Sequence, residues 1–317
     1  MYNIQLWFGK PKKIVTLWTT NNLLMNLKKV SRNVHVLELG KEESKLALLS
    51  DIHWDNPKCD REKLKNHLDY CKEHNIPIFI NGDFLCLMQG KYDPRRNKKD
   101  ILPEHNKSNY IDAVIEDAVN WWSPYAHLLT VIGYGNHETA IIKNLETDPL
   151  QRFVDLLNYT NKTQVYTGGY GGWLIIKYHL GNNTYMSKNL KYFHGSGGGG
   201  IVTKGAINLT RALEMYENMD VFIMGHIHEN SSRNDVRDAI QFNPGKHVHE
   251  LVHKQIHLAI TGSYKEEYED GAFGWHVERG APVKPTGGRI LTLSGIETHR
   301  KELRSYELLV DSCKFPL

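Results

Sequence analysis

The chain has 317 residues, 24% of them charged and 40% hydrophobic, with a net charge of +3. That is enough apolar chain for a substantial core in one large domain or two small ones, and the slight positive charge permits an anionic substrate without identifying nucleic acid. No apolar run approaches the length of a bilayer span and the first residues lack a signal-type apolar core, so a soluble, cytoplasmic protein without a membrane partner is expected. Cys59, Cys71, Cys86 and Cys313 show no Cys-x-x-Cys spacing and read as reduced thiols, in keeping with that compartment.

In chain order, Ile14 to Trp18 and Val34 to Leu39 are expected as a hairpin or edge strands, within an N-terminal extension of residues 1–45 that carries no visible chemistry. The runs Leu46 to Leu49, Ile76 to Ile80, Leu128 to Ile132 and Val221 to Met224 are short, rich in branched residues and stop at a Gly or polar residue, as buried strands of a covered sheet do. A helix is expected over Asp60 to His74, with Leu64, Leu68 and Cys71 on one face. Another begins at the N-cap candidate Asp148, with Pro149 at its first position and Leu150, Phe153, Val154 and Leu157 as its stripe. A helix candidate runs through Trp121 and Trp122, which read as core. One near Ile207 to Tyr216 feeds the strand before Gly225 in βαβ fashion.

Each of the four runs ends in a motif that carries chemistry: Asp51-Ile-His53, Gly82-Asp83, Gly135-Asn136-His137-Glu138 and Gly225-His226-Ile-His228, with His194-Gly195 as a fifth between the last two. In layered α/β architectures strand-end loops gather along one edge, so these residues can converge. Imidazole, carboxylate and amide oxygen together suit Mn, Fe, Zn or Ni, whereas an all-oxygen set would suit Ca or Mg. The Gly before Asp83 lets the backbone turn tightly and bring the carboxylate between two cations. Two divalent ions so bridged activate a hydroxide and clamp both oxygens of an in-line displacement at phosphorus.

On those motifs the chain, from about Leu46 to about Gly262, resembles a calcineurin-like metallophosphoesterase. The resemblance implies a four-layer αββα sandwich, an α/β fold with two mixed β-sheets face to face and helices outside, formed by residues 46–317. It implies that Asp51, His53 and His228 hold one metal, that Asn136, His194 and His226 hold the other, and that Asp83 bridges them. His137 would be the proton donor to the leaving oxygen or a stabiliser of the charged transition state, its ordinary pKa lying near working pH. The chain departs from the protein Ser/Thr phosphatase branch: Phe84-Leu85-Cys86-Leu87 stands where an Asp and an Arg follow the Gly-Asp, and Trp54 stands where a Gly follows the first His. The Gly-His-x-His ending fits the broader group of nucleases, nucleotide phosphodiesterases and small-molecule phosphatases. The expectation is therefore a dinuclear phosphoester hydrolase with a metal-bridging hydroxide and two divalent ions, Mn before Fe, Zn or Ni. The expected substrates are phosphodiesters of nucleotides or nucleic acid, with a phosphomonoesterase or an inactive metal-binding scaffold as alternatives.

Other segments leave alternatives open. A basic insertion around residues 88–110 starts beside Asp83; Lys91, Arg95 and Arg96 read as phosphate contacts and Tyr92 as a stacking platform, or the whole as a solvated loop. Gly195-Ser-Gly-Gly-Gly-Gly200 reads as a flexible segment near the site or an anion nest. His247, His249, His253 and His257 alternate near a hairpin, without a Cys or carboxylate at metal-site spacing. The Gly- and aromatic-rich tail with Tyr264, Tyr268, Trp275, His276 and Arg279 is expected to wall the substrate cleft.

Overall fold

Alternation along the short apolar runs decides which layer each side chain enters. In the computed structural model, which describes residues 26–39, 44–87, 101–181, 184–243, 247–268, 275–278, 280–300 and 303–316, Leu46 and Leu48 face one way and Ala47 and Leu49 the other. Phe222 and Met224 likewise oppose Val221 and Ile223. Both faces of these strands are therefore buried, as a sheet covered on two sides requires.

The elements are, in order, β1 (Asn26–Ser31), β2 (Val34–Leu39), β3 (Ser44–Leu49), α1 (Arg61–Glu73), β4 (Ile78–Asn81), α2 (Tyr110–Trp122), β5 (Leu129–Gly133), α3 (Asn136–Leu145) and α4 (Pro149–Asn161). Then follow β6 (Tyr166–Thr167), β7 (Gly171–Gly181), β8 (Thr184–Phe193), α5 (Ala206–Met215), β9 (Val221–Met224), β10 (Ser231–Asn243), β11 (Val248–Ile260), the short α6 (Trp275–Glu278), β12 (Arg289–Arg300) and β13 (Leu303–Lys314). They make two mixed sheets, a seven-stranded one ordered β1-β2-β7-β8-β9-β11-β10 and a six-stranded one ordered β13-β12-β3-β4-β5-β6. Strands β3 to β6 run parallel, as do β8, β9 and β11.

The sheets pack face to face through Leu37, Leu46, Leu48, Phe79, Val131, Ile176, Leu190 and Ile223. Helices α1, α2 and α4 cover the outer face of the six-stranded sheet, and α5 covers the outer face of the other. This is the four-layer αββα order. Each fully buried Leu or Ile contributes about 1.5–3 kcal/mol to it.

The helix signals are realised locally. Asp60 caps α1 by accepting from Lys63 N, and Asp148 caps α4 by accepting from Gln151 N, with Pro149 first in the helix. Leu64, Leu68 and Cys71 of α1, and Leu150, Phe153, Val154 and Leu157 of α4, are the buried stripes. Trp122 is fully buried and Trp121 packs against the same core. Residues 34–39 form not an edge but an interior strand, because β2 pairs antiparallel with β1 and parallel with β7. Ile14 to Trp18 lie outside the described residues.

Tyr264 does not wall a cleft: it is fully buried, its hydroxyl lying 2.8 Å from His67 Nδ1 and accepting from Gly288 N. A phenol buried in an apolar core needs such partners, and they anchor the tail against α1 instead. Arg279 is outside the described residues. The four cysteines are free thiols.

Candidate metal centre

Because β3, β4 and β5 are parallel neighbours, their C-terminal ends deliver Asp51, Asp83 and Asn136 side by side. From the facing sheet, the ends of β8 and β9 deliver His194 and His226. Backbone bonds from Asp51 N to Gly82 O (3.0 Å), His53 N to Asp83 O (3.1 Å) and Gly225 N to His194 O (2.9 Å) lock the strand ends together. The sheets are tied by Asn81, whose Nδ2 donates to Phe193 O at 3.1 Å and whose carbonyl accepts from His194 Nδ1 at 2.8 Å.

Five of the seven candidate ligands hold left-handed backbone: Asp51 (φ 50°), His53 (51°), Asp83 (48°), His226 (66°) and His228 (57°). For non-glycine residues that region costs of order 1–3 kcal/mol each, and it persists where the surroundings over-determine it. Here it turns each side chain inward immediately after its strand. Two glycines give the room. Gly82 adopts φ +83°, and a Cβ there would lie 2.5 Å from His194 Nδ1; one on Gly225 would lie 2.5 Å from Asp51 Oδ2 and 2.6 Å from Ser50 Oγ.

Two groups of ligand atoms result, each within 4.8 Å mutually: Asp51, His53 and His228, and Asp83, His194 and His226. Asn136 Oδ1 joins the second group, 2.8 Å from His226 Nδ1. His228 Nε2 is 3.4 Å from Asp51 Oδ1, and His194 Nε2 is 3.2 Å from Asp83 Oδ2. His194 donates through Nδ1 to Asn81 O, so its Nε2 is the nitrogen turned to the carboxylate. His137 stands beside both groups. Its Nδ1 bonds Cys86 O at 2.6 Å, its Nε2 lies 3.9 Å from Asp83 Oδ2, and its ring meets that of His53 edge-on at 4.8 Å.

Burial would by itself push the Asp83 carboxyl up, but the imidazoles of His194 and His137 hold it well below the usual range. Conversely, burial pulls His194 down and Asp83 overrides it, lifting His194 to about 10. His53 stays neutral, lowered by burial and then by His137. Buried Asp51 is likewise held low by His228 against the effect of burial.

The donor set, imidazole, carboxylate and amide oxygen converging in two groups, fits divalent transition metals. Both ring nitrogens of His53 and Nε2 of His194 are buried without a hydrogen-bond partner, which suits a cation there, though His35 outside the centre shares that state. A competing group, His53 with Cys86 and His137, lies as close. Burial pushes the Cys86 thiol well up, however, and Asn56 Nδ2 donates to its sulfur, so it remains a neutral thiol and a poor ligand.

Several residues outside the candidate ligand set position the centre, and of these Ser50 and Asp55 carry no sequence signal of their own. Ser50 Oγ donates to Asp51 Oδ2 at 2.5 Å and lies 2.6 Å from Thr261 Oγ1. Asp55 accepts from Cys86 N, Leu87 N and Tyr110 OH, fixing the carbonyl that orients His137. Glu138 accepts from Leu85 N and Gly135 N, closing the start of α3; burial, then Asp83, raises its carboxyl to about 8. The Gly135 motif is thus a helix start and not only a loop, a capping pattern readable from Glu138.

Of the other expected contacts, Lys91, Tyr92, Arg95 and Arg96 lie outside the described residues. In the described remainder of the insertion, His105 is buried with Nε2 3.0 Å from Asp117 Oδ2 on α2. Among the described residues no metal-capable group includes His247, His249, His253 or His257. His257 instead sits buried 2.7 Å from both Asn234 Oδ1 and Ser312 Oγ, and His253 pairs with Asp238 across the hairpin.

No helix among the described residues is long and apolar enough to cross a membrane. No protein-family model and no curated protein matches the chain. Among solved structures it is similar to GAP50, the anchor in the inner membrane complex of Plasmodium, at 11% identity and a TM-score of 0.34, over 80% of this chain and 82% of that one, a likeness too weak to carry an argument.

Proposed function

We propose that the protein is a dinuclear metal-dependent phosphoesterase of the calcineurin-like type, acting on phosphodiesters. The observation that carries the reading is the convergence of Asp51, His53 and His228 with Asp83, His194, His226 and Asn136 at adjacent strand ends of two sheets, His53 buried with both nitrogens unpartnered. Bound there, two divalent ions, Mn²⁺ first among Mn, Fe, Zn and Ni, supply positive charge to phosphoryl oxygens and acidify water at neutral pH.

The chain's own residues do the rest. Asp83 stands in the second group, its Oδ2 3.2 Å from His194 Nε2 and 3.9 Å from His137 Nε2, and it is the carboxylate that would be shared if both groups are filled. His137, fixed through Nδ1 on Cys86 O, presents Nε2 as the atom to give a proton to the leaving oxygen or to steady charge on phosphorus. Phe84 and Trp54, where the protein-phosphatase branch has other residues, are core side chains. The absence of that branch's residues at these positions, not their burial, favours the diesterase and small-molecule group.

The test is initial rates of metal-free protein reloaded with Mn²⁺ on a chromogenic phosphate diester and the matching monoester, with Asp83→Ala and His137→Ala in parallel. Metal-dependent turnover favouring the diester, lost in both variants, supports the reading. Preference for the monoester reassigns the protein to small-molecule phosphatases, and metal binding without any turnover makes it a scaffold.

A further inference from the structure

A cavity of about 460 Å³ opens beside the candidate metal centre, within the size range of small-molecule sites. Its walls come from the β1–β2 turn (Arg32, Asn33), from Tyr134 before the α3 motif, from Thr139 and Lys143 on α3, and from Tyr170. Tyr170 belongs to both places: its ring meets that of His194 edge-on at 5.4 Å, and its hydroxyl donates to Gly195 O at 2.7 Å. Lys143 follows the candidate ligand Asn136 by two helical turns on the same face, a separation of about 10 Å along the axis.

Arg32 and Lys143 are both exposed at this cavity, and neither forms an ion pair among the described residues. Asp148 stands behind this wall, accepting from Tyr134 OH and from Gln151 N at the α4 cap, and is not among the residues that line the cavity. The lining thus holds two cations and no carboxylate, which favours an anion at its mouth. An arginine fork and a lysine point charge are the usual pair for phosphate.

We propose that this cavity is a substrate subsite in which Arg32 and Lys143 hold a second phosphate, one nucleotide or so from the phosphorus attacked. The inference rests on the phosphoesterase reading and narrows it to substrates with more than one phosphate, such as oligonucleotide ends. It also gives the first hairpin a task, since Arg32 and Asn33 reach the site only because β2 pairs with β7.

The experiment compares wild type with Arg32→Ala/Lys143→Ala, both exposed positions, on 5′-phosphorylated dithymidylate and on bis(p-nitrophenyl) phosphate with Mn²⁺ present. The ratio of kcat/KM for the dinucleotide over that for the small diester is expected to fall at least tenfold, through KM. An unchanged ratio overturns the subsite. Calorimetric titration of the metal-free protein with the dinucleotide separates this from the wider reading. If wild type turns over neither diester, the phosphoesterase reading fails. The subsite then stands on dinucleotide binding that weakens at least tenfold in the double variant, and it falls if binding is equal or absent.

Discussion

Ser50→Ala isolates what holds Asp51, the first candidate ligand, in place. Ser50 is fully buried, its hydroxyl donates to Asp51 Oδ2 at 2.5 Å, and the other acceptor contacts of that carboxylate come from His226 N and His228. A hydrogen bond to a charged group contributes about 1.5–3 kcal/mol, so the metal-free variant should lose stability of that size. Asp51 would then be oriented by fewer donors, and loss of such an outer partner typically lowers metal affinity about 10–100-fold. Thr261→Val removes the group behind Ser50 together with a 3.2 Å bond to Met224 O, while the Ser50 bond to Asp51 survives, so its effect on affinity should be several-fold smaller. Urea unfolding gives the first quantity and Mn²⁺ titration calorimetry the second. Wild-type Mn²⁺ affinity in Ser50→Ala, or a larger loss in Thr261→Val, would refute the idea that this hydroxyl chain orients the ligand.

Gly225→Ala places a methyl 2.5 Å from Asp51 Oδ2 and 2.6 Å from Ser50 Oγ, both held in the core, so metal affinity and melting temperature should fall together, whereas Gly198→Ala, with open space around it, should leave both near wild type. His137→Gln should keep two bound Mn²⁺ per chain by elemental analysis while turnover falls about 10²–10⁴-fold, as loss of a proton donor does; loss of metal with activity would recast His137 as a ligand. Asp83→Ala should retain fewer than two ions at the same free Mn²⁺. Acid should destabilise the metal-free fold through His35, His67 and His257, each lowered to about 4, chiefly by burial. The unfolded chain binds their protons first, so stability is complete above the ordinary value near 6.5 and declines as pH falls toward 4. The decline at pH 5 is about 2 kcal/mol for a fully buried group such as His257, and His257→Gln should flatten the urea midpoint profile between pH 7 and 5.

Much of the layer order was legible in the chain. Branched runs without strict alternation imply strands covered on both faces, and caps such as Asp60 and Asp148 act within one turn of themselves, so sequence alone places them. The candidate ligands were legible for the same reason: each follows its strand by one to four residues, and parallel strands bring such ends together. What only the tertiary structure decided depends on contacts distant in sequence. Tyr264 reads as a cleft residue until β12 and α1 close over it. The histidines of the β11 hairpin read as a cluster until register sets His257 against Asn234 and Ser312. Ser50 and Thr261 lie 211 residues apart, and no local pattern marks a hydroxyl whose partner arrives from another strand. Arg32 gains its place beside α3 only through the pairing of β2 with β7. Local chemistry selects the elements and the ligand types; which side chains meet around them is fixed by long-range packing, because a partner that far along the chain leaves no periodic trace in the sequence.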